Sequence, residues 1–187
     1  DVDITNFNPY LASTGYQVYG ALSGNGRVAN IYDNPSLKAS VSINDFKINN
    51  EDFGRFDISA IWEGRKNGFK IDGVNKFMKI RGVYMAETDS LDVNFLMDNF
   101  NLEILEPYTS DFDISNLKGH LDVVVDIRGK LAQPDISGYI EFQKAELVYD
   151  FLKLHAFIND KIFITNDAIS FKDFKIYDEH NNKGVIN

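Results

Sequence analysis

Apolar and polar residues alternate one for one along much of this chain. The clearest run is Leu37-Lys38-Ala39-Ser40-Val41-Ser42-Ile43, and the same period returns over residues 46–48, 56–60, 121–127, 136–142, 162–164, 169–171 and 174–176. A period of two is the repeat of an extended strand, whose successive side chains point to opposite faces, so each run predicts a strand with one apolar and one polar face. Turn-forming residues separate the runs: Ser23-Gly24-Asn25-Gly26, Asn49-Asn50, Lys66-Asn67-Gly68, Asn159-Asp160, Asn166-Asp167 and Asn181-Asn182-Lys183-Gly184. A helical period is visible only over 102–108, where Leu102, Leu105 and Tyr108 fall about a turn apart and Pro107 limits the segment. The fold class expected is therefore all-β and antiparallel-rich, with at most one short helix.

The chain also repeats itself. Gly20, Leu22, Pro35, Leu37, Ala39, Val41 and Ile43 recur as Gly119, Leu121, Pro134, Ile136, Gly138, Ile140 and Phe142, always 99 residues on. One residue off that register, Asn8-Pro9-Tyr10 recurs as Glu106-Pro107-Tyr108. Alternation alone produces apolar matches, but it does not place both Gly and both Pro at one separation. The reading is a single β-rich segment of 187 residues built from two units, about 1–98 and 99–187. In the first unit Asn30 stands where Gly129 stands, and Ala39 where Gly138 stands. The ends carry neither a leader nor a stop signal, so the segment is expected to belong to a longer protein.

Composition narrows the chemistry. With 28 acidic and 19 basic residues the net charge is -9, and the cations are scattered singly or in pairs such as Arg65-Lys66. Such a chain repels nucleic acid and anionic headgroups alike, which leaves acyl chains as the expected lipid contact. There is no cysteine, hence no disulfide, thiolate metal site or thiol catalysis. His120, His155 and His180 stand far apart without ligand spacing, and Asp111-Phe112-Asp113 and the pair Asp122 and Asp126 lack a Gly-punctuated calcium loop. No acid pair is distinguished for hydrolysis, Ser110 and Ser170 have no histidine at motif spacing, and Ser23-Gly24-Asn25-Gly26 lacks the lysine and following helix of a phosphate loop. The expectation is a protein that is not an enzyme and takes no cofactor.

From Gly119 to Leu147 a strand ends in Arg128-Gly129, an X-Pro turn follows, and Ile136-Ser137-Gly138 opens the next strand. The Asn-punctuated strands 159–164, 166–171 and 174–178 come after it, closing in Asn181-Asn182-Lys183-Gly184. This succession resembles the C-terminal domain of the TamB family, within the AsmA-like proteins of the Gram-negative envelope, in a form similar to its Bacteroidota branch. The resemblance implies an elongated, curved sheet with an apolar concave groove, often called a β-taco. It implies a periplasmic location, with the full-length protein anchored in the inner membrane. It further implies carriage of phospholipid acyl chains between the membranes, and support of outer-membrane protein assembly with a TamA-type barrel.

The residues placed on the apolar strand faces, and so expected to line the groove, are Leu37, Ala39, Val41 and Ile43 in the first unit. In the second they are Leu121, Val123, Val125 and Ile127, with Ile136, Gly138, Ile140 and Phe142. The alternative is a closed β-sandwich acting as an adhesin-like or carbohydrate-binding module, with Trp62 and the many aromatics stacking on sugar. A sheet cut from a longer one also exposes unpaired edges, so self-association through edge strands is expected.

Overall fold

The computed structural model describes residues 2–33, 35–49, 51–64, 68–109 and 112–187. Fourteen strands of these residues make one sheet: β1 (Val2–Asp3), β2 (Val18–Ala29), β3 (Ser36–Ile48), β4 (Glu51–Trp62), β5 (Phe69–Val74), β6 (Met78–Met85), β7 (Ser90–Asn101), β8 (Ile114–Lys130), β9 (Gln133–Tyr149), β10 (Leu154–Ile158), β11 (Lys161–Thr165), β12 (Ile169–Ser170), β13 (Phe174–Asp178) and β14 (Lys183–Ile186). Strands β1 to β10 follow one another in chain order, and β13 and β14 complete the path. Strand β9 is long enough to take two partners along one side: β10 from Ala145 to Tyr149, and β11 from Ser137 to Glu141. β12 pairs with β11 alone. The fold is all-β, as the alternation requires. No helix among the described residues is long and apolar enough to cross a membrane.

The chain divides into two compact units, residues 1–95 with 127–134, and residues 96–126 with 135–187. In the first, β2 to β6 form a meander. In the second, β8 and β9 carry the smaller strands β10 to β14.

Both units carry a helical turn near their start, after β1 in the first and after β7 in the second. Leu102–Leu105 is a 3-10 turn that runs into a four-residue α-helix, Glu106–Thr109, where the helical period placed a helix. Ile4–Phe7 is likewise a 3-10 turn running into a helix, Asn8–Leu11, a segment that the sequence period did not mark. Asp3 and Asn101 cap the two turns in the same way, each side chain accepting from the backbone N–H two residues on. The first residue of each helix then ties down the strand that follows. Asn8 accepts from the Val18 N–H and donates to its carbonyl, and Glu106 accepts from the Asn116 N–H.

Two sequence-based expectations need correction. Ser23-Gly24-Asn25-Gly26 is not a turn; it lies inside β2, with Gly24 opposite Val41 and Gly26 opposite Ala39. Glycine serves there for close approach, since a Cβ on Gly24 would come within 2.6 Å of the Ser40 carbonyl oxygen and 3.1 Å of the Val41 Cα. The runs 37–43 and 46–48 are one strand, kinked by a bulge at which Asp45 has φ 52°. Asn159-Asp160 and Asn166-Asp167 do connect strands; Asn181-Asn182 is a turn, whereas Lys183-Gly184 begins β14. Asn50, Arg65, Lys66, Asn67, Ser110 and Asp111 lie outside the described residues.

Candidate functional site

In the first unit, strand pairing stacks alternate residues into four cross-strand rows on one face. They are Leu22-Ile43-Phe56, Gly24-Val41-Ile58-Gly73-Ile80, Gly26-Ala39-Ala60-Ile71-Gly82 and Val28-Leu37-Trp62-Phe69-Tyr84. All but the Tyr84 hydroxyl and the Trp62 indole nitrogen is apolar or bare backbone. Leu37, Ala39, Val41 and Ile43 thus lie on one face together, and each is half-buried. So are Phe56, Ile58, Ala60 and Ile71 on the neighbouring strands. Inner-face residues of a sandwich are enclosed by the facing sheet; here, in central strands, these side chains keep solvent access. Phe53 is the only large side chain among the described residues to be wholly enclosed.

The row residues are small at the centre. Glycine at 73 and 82 is filled over by its neighbours: a Cβ on Gly73 would stand 2.7 Å from Ile80 Cγ2 and 3.3 Å from Phe56 Cζ, and one on Gly82 3.0 Å from Ile71 Cγ2. At the end of the rows near the β3–β4 and β5–β6 turns, four phenylalanines meet. Phe46 lies 5.7 Å from Phe53 and 6.4 Å from Phe56, and Phe53 meets Phe77 edge-on at 5.8 Å. At the other end, the Tyr84 hydroxyl donates to Asp89 at 3.1 Å, which raises the phenol's pKa.

The reverse face of the same strands is polar. Its rows are Ser23-Ser42-Asp57-Val74-Lys79, Asn25-Ser40-Ser59-Asp72-Arg81 and Arg27-Lys38-Ile61-Lys70-Val83. Asp57 is held below the usual carboxylate range first by the Ser42 hydroxyl, which donates at 2.5 Å, and then by Arg55 at 2.8 Å. Arg81 pairs with Asp72 at 3.0 Å and Lys38 with Glu63 at 3.3 Å. An open concavity of about 340 Å³ lies over Ser40, Ser42, Asp57 and Ser59. A larger one of about 760 Å³ lies by Asp3, Asp45 and Lys47, around the bulge at Gly20. Both are rimmed by charge.

The second unit repeats the arrangement with tighter packing. Ile140 faces Ile162, and Gly138 faces Ile164, which faces Ile169. Gly138 sits against Val125, whose Cα would be 3.0 Å from an added Cβ. Phe142 packs edge-on to Phe174 at 6.1 Å, and Phe174 to Phe171 at 5.5 Å. Leu121, Ile162 and Phe174 are buried; Val123, Val125, Ile136, Gly138, Ile140 and Phe142 are half-buried. Ile127, also half-buried, falls in the stretch of β8 grouped with the first unit. On the polar side, Asp122 accepts from the Asn99 N–H at 2.8 Å and from the Gln143 side chain.

Sequence reasoning assigned the rows of β3, β8 and β9 to the site; it marked the alternation of β4 at 56–60 without adding it to the lining, and it missed the continuation through β2, β5 and β6. The missing signal is chemical: glycine takes apolar-face positions in 24, 26, 73 and 82, so the apolar period breaks there although the strands do not. The histidines stay apart. His155 packs on Phe157 with ring centroids 4.6 Å apart and lies 3.8 Å from Glu146, and His180 is exposed. Among the described residues, no cluster of three or more His, Asp or Glu side chains could hold a metal ion. Comparison with protein-family models, with curated proteins and with solved structures finds nothing that matches this chain.

Proposed function

We propose that this chain is a lipid-carrying segment of a TamB-like periplasmic protein, and that the apolar rows receive phospholipid acyl chains in transit between the inner and outer membranes. In the full-length protein, anchored in the inner membrane, the same segment supports assembly of outer-membrane proteins with a TamA-type barrel. It performs no covalent chemistry and needs no cofactor.

One observation carries the reading: rows of apolar side chains in central strands that are only half-buried. A monomeric protein rarely leaves such a surface open, because each Å² of exposed apolar area costs about 25 cal/mol. Acyl chains suit it because their burial scales with area and needs no directional partner. The polar reverse face, laced by Asp57, Arg55, Asp72 and Arg81, offers such a ligand nothing. A sandwich-type adhesin or carbohydrate module would enclose these rows.

The test is direct. The chain is produced in the periplasm of a Gram-negative host and purified without detergent, and its organic extract is read by mass spectrometry. Phospholipid in stoichiometric amount supports the proposal. A lipid-free, folded protein that also fails to take up phospholipid from vesicles overturns it.

A further inference from the structure

The hairpin turns of the second unit differ in what they show to water. A turn that closes two strands ordinarily carries glycine, proline, asparagine, aspartate or serine. Polar pairs hold the centre of two of them: Asn166-Asp167 between β11 and β12, and Glu179-His180 between β13 and β14. The turn between β9 and β10 breaks the rule. Lys153 donates its N–H to the Asp150 carbonyl at 3.3 Å, and the two central residues are Phe151 and Leu152, 76% and 62% exposed. Side chains so exposed add little to the core. The repeat does not call for them either, since the matching strands of the first unit, β3 and β4, are joined by Asn49-Asn50.

The apolar pair has company. Directly behind the turn Tyr149 faces Leu154, and the Tyr149 ring lies 6.3 Å from that of Phe151. Asp113 accepts from the Asp150 N–H at 2.7 Å, which brings the chain next to Phe112, itself 69% exposed, up to the turn.

Three features point to a lipid bilayer as the occupant. Two of the turn's backbone N–H groups, those of Asp150 and Lys153, are already bonded within the protein, so a poorly hydrated layer strands neither. The flanking charges are one acid, Asp150, and one base, Lys153, which cancel and demand no charged partner. The apolar part also has the right height. From the Tyr149-Leu154 pair to the apex is about two residues, roughly 7 Å at ~3.4 Å each, within the ~5–10 Å to which interfacial elements sink. Tyrosine, with an apolar body and a polar tip, then lies at the headgroups.

We propose that the β9–β10 hairpin tip is a shallow membrane anchor, seating Phe151 and Leu152 at the acyl boundary of an uncharged bilayer surface. This contact is separate from the apolar rows and does not depend on the lipid-carrying reading. The net charge of -9 selects the surface, because it repels anionic headgroups and not zwitterionic ones.

The chain is sedimented with sucrose-loaded phosphatidylcholine vesicles. The parent is expected to co-sediment. Phe151→Ser with Leu152→Ser should lower the partition coefficient at least tenfold with the far-UV spectrum unchanged, since burying each such side chain is worth about tenfold or more. Trp62 is the sole tryptophan, so Trp62→Phe with Phe151→Trp gives a reporter at the tip, and Trp62→Phe with His180→Trp gives one at a polar turn. Vesicles should shift the emission of the first to the blue and leave the second unmoved. Phosphatidylcholine brominated near the carboxyl end of its acyl chains should quench the first more than lipid brominated near the methyl end. A parent that stays in the supernatant overturns the anchor. So does co-sedimentation unchanged by the serine pair, or a blue shift equal at both reporters. A tip reporter already blue-shifted without vesicles, in step with self-association, assigns the tip to a second copy of the chain and overturns the proposal as well. Phospholipid in the organic extract of the purified chain is read independently, so either idea can fail alone.

Discussion

Single residues explain why this sequence is so rich in asparagine and aspartate. Eleven described non-glycine residues have positive φ, and all but Lys144 and Lys153 are Asn or Asp. These are the side chains that tolerate the left-handed region best after glycine. The repeat makes the rule visible. Asn30 has φ 53° where its counterpart Gly129 has 103°, so both positions take a positive φ, the first within the range asparagine tolerates and the second beyond it. Asp45 and Lys144, also 99 apart, lie inside β3 and β9 with φ 52° and 49°. The glycines packed against them are stricter. Gly119 has φ +94°, and a Cβ there would lie 2.4 Å from the Lys144 carbonyl oxygen and 2.8 Å from the Ala145 Cα. Gly119→Ala should therefore destabilise the protein by about 2–3 kcal/mol or more, read from denaturant unfolding. An alanine variant as stable as the parent would contradict this geometry. A second residue-scale expectation concerns Asp160, whose carboxylate accepts from the Lys161 N–H at 2.9 Å and the Lys175 N–H at 3.2 Å. The Lys161 N–H is the largest cause holding its pKa below the ordinary value; desolvation opposes it next, and the Lys175 N–H and two lysine charges add to the lowering. A depressed carboxylate stabilises the fold above its unfolded pKa, and that contribution is lost as pH falls through the lower folded value. Asp160→Asn should thus lower the melting temperature at pH 7, by about 2–4 °C per kcal/mol lost. The gap to the parent should narrow as pH falls below the ordinary aspartate pKa of about 4, and thermal scans across pH check it.

At the scale of elements, the sequence shows which segments are strands far better than where they bend. The period of two marked parts of β3, β4, β8, β9, β11 and β13. It could not mark bulges, because an inserted residue simply looks like a break between two short runs. It also misread β2, since glycine is both the commonest turn residue and the smallest thing to place under a crowded neighbour. The two units solve that crowding from opposite sides: Gly26 lies opposite Ala39 in the first, whereas Gly138 lies against Val125 in the second. Knowing the alternation, one could not tell whether the apolar face is open or covered, because both give the same pattern. Burial separates them, and a substitution tests the distinction. Ile140 is half-buried opposite Ile162. A charge placed there by Ile140→Asp keeps water on an open face, so folding should survive with a loss of about 1–2 kcal/mol from the lost contact with Ile162. The same charge inside a closed sandwich would be buried unpaired, costing several kcal/mol and unfolding the domain. Circular dichroism, with lipid content measured on the same sample, reads both consequences. A folded variant that carries as much lipid as the parent would remove Ile140 from the site.

For the whole chain, the all-β character follows from the alternation, but the order of strands does not. Pairing is decided by which edges are free when each strand forms, and a pattern with one apolar face per strand is satisfied by many orders. The order found is nearly the simplest one, each strand beside its chain neighbour, and it ends in β1 on one side and β14 on the other. Strand β1 is two residues long, too short to template much. Strand β14 is different. All four of its residues are exposed, Val185 and Ile186 among them, and among the described residues it pairs on one side only, with β13. Such an edge presents unpaired N–H and C=O groups beside apolar side chains, the arrangement that natural sheets blunt with lysine or proline. The chain should therefore self-associate with rising concentration, edge to edge through β14. Val185→Glu should weaken that association about tenfold, or ~1.4 kcal/mol, without changing the far-UV spectrum, because it charges the exposed edge strand while standing opposite Lys175 in the β13 ladder, where an acid is tolerated. Sedimentation over a concentration series, with parent and variant side by side, measures the shift. A parent that stays monomeric into the millimolar range would show that the β14 edge is not adhesive. Association unchanged in the variant would move the contact elsewhere, first to β12, where Ile169 is 60% exposed and pairing among the described residues is likewise one-sided.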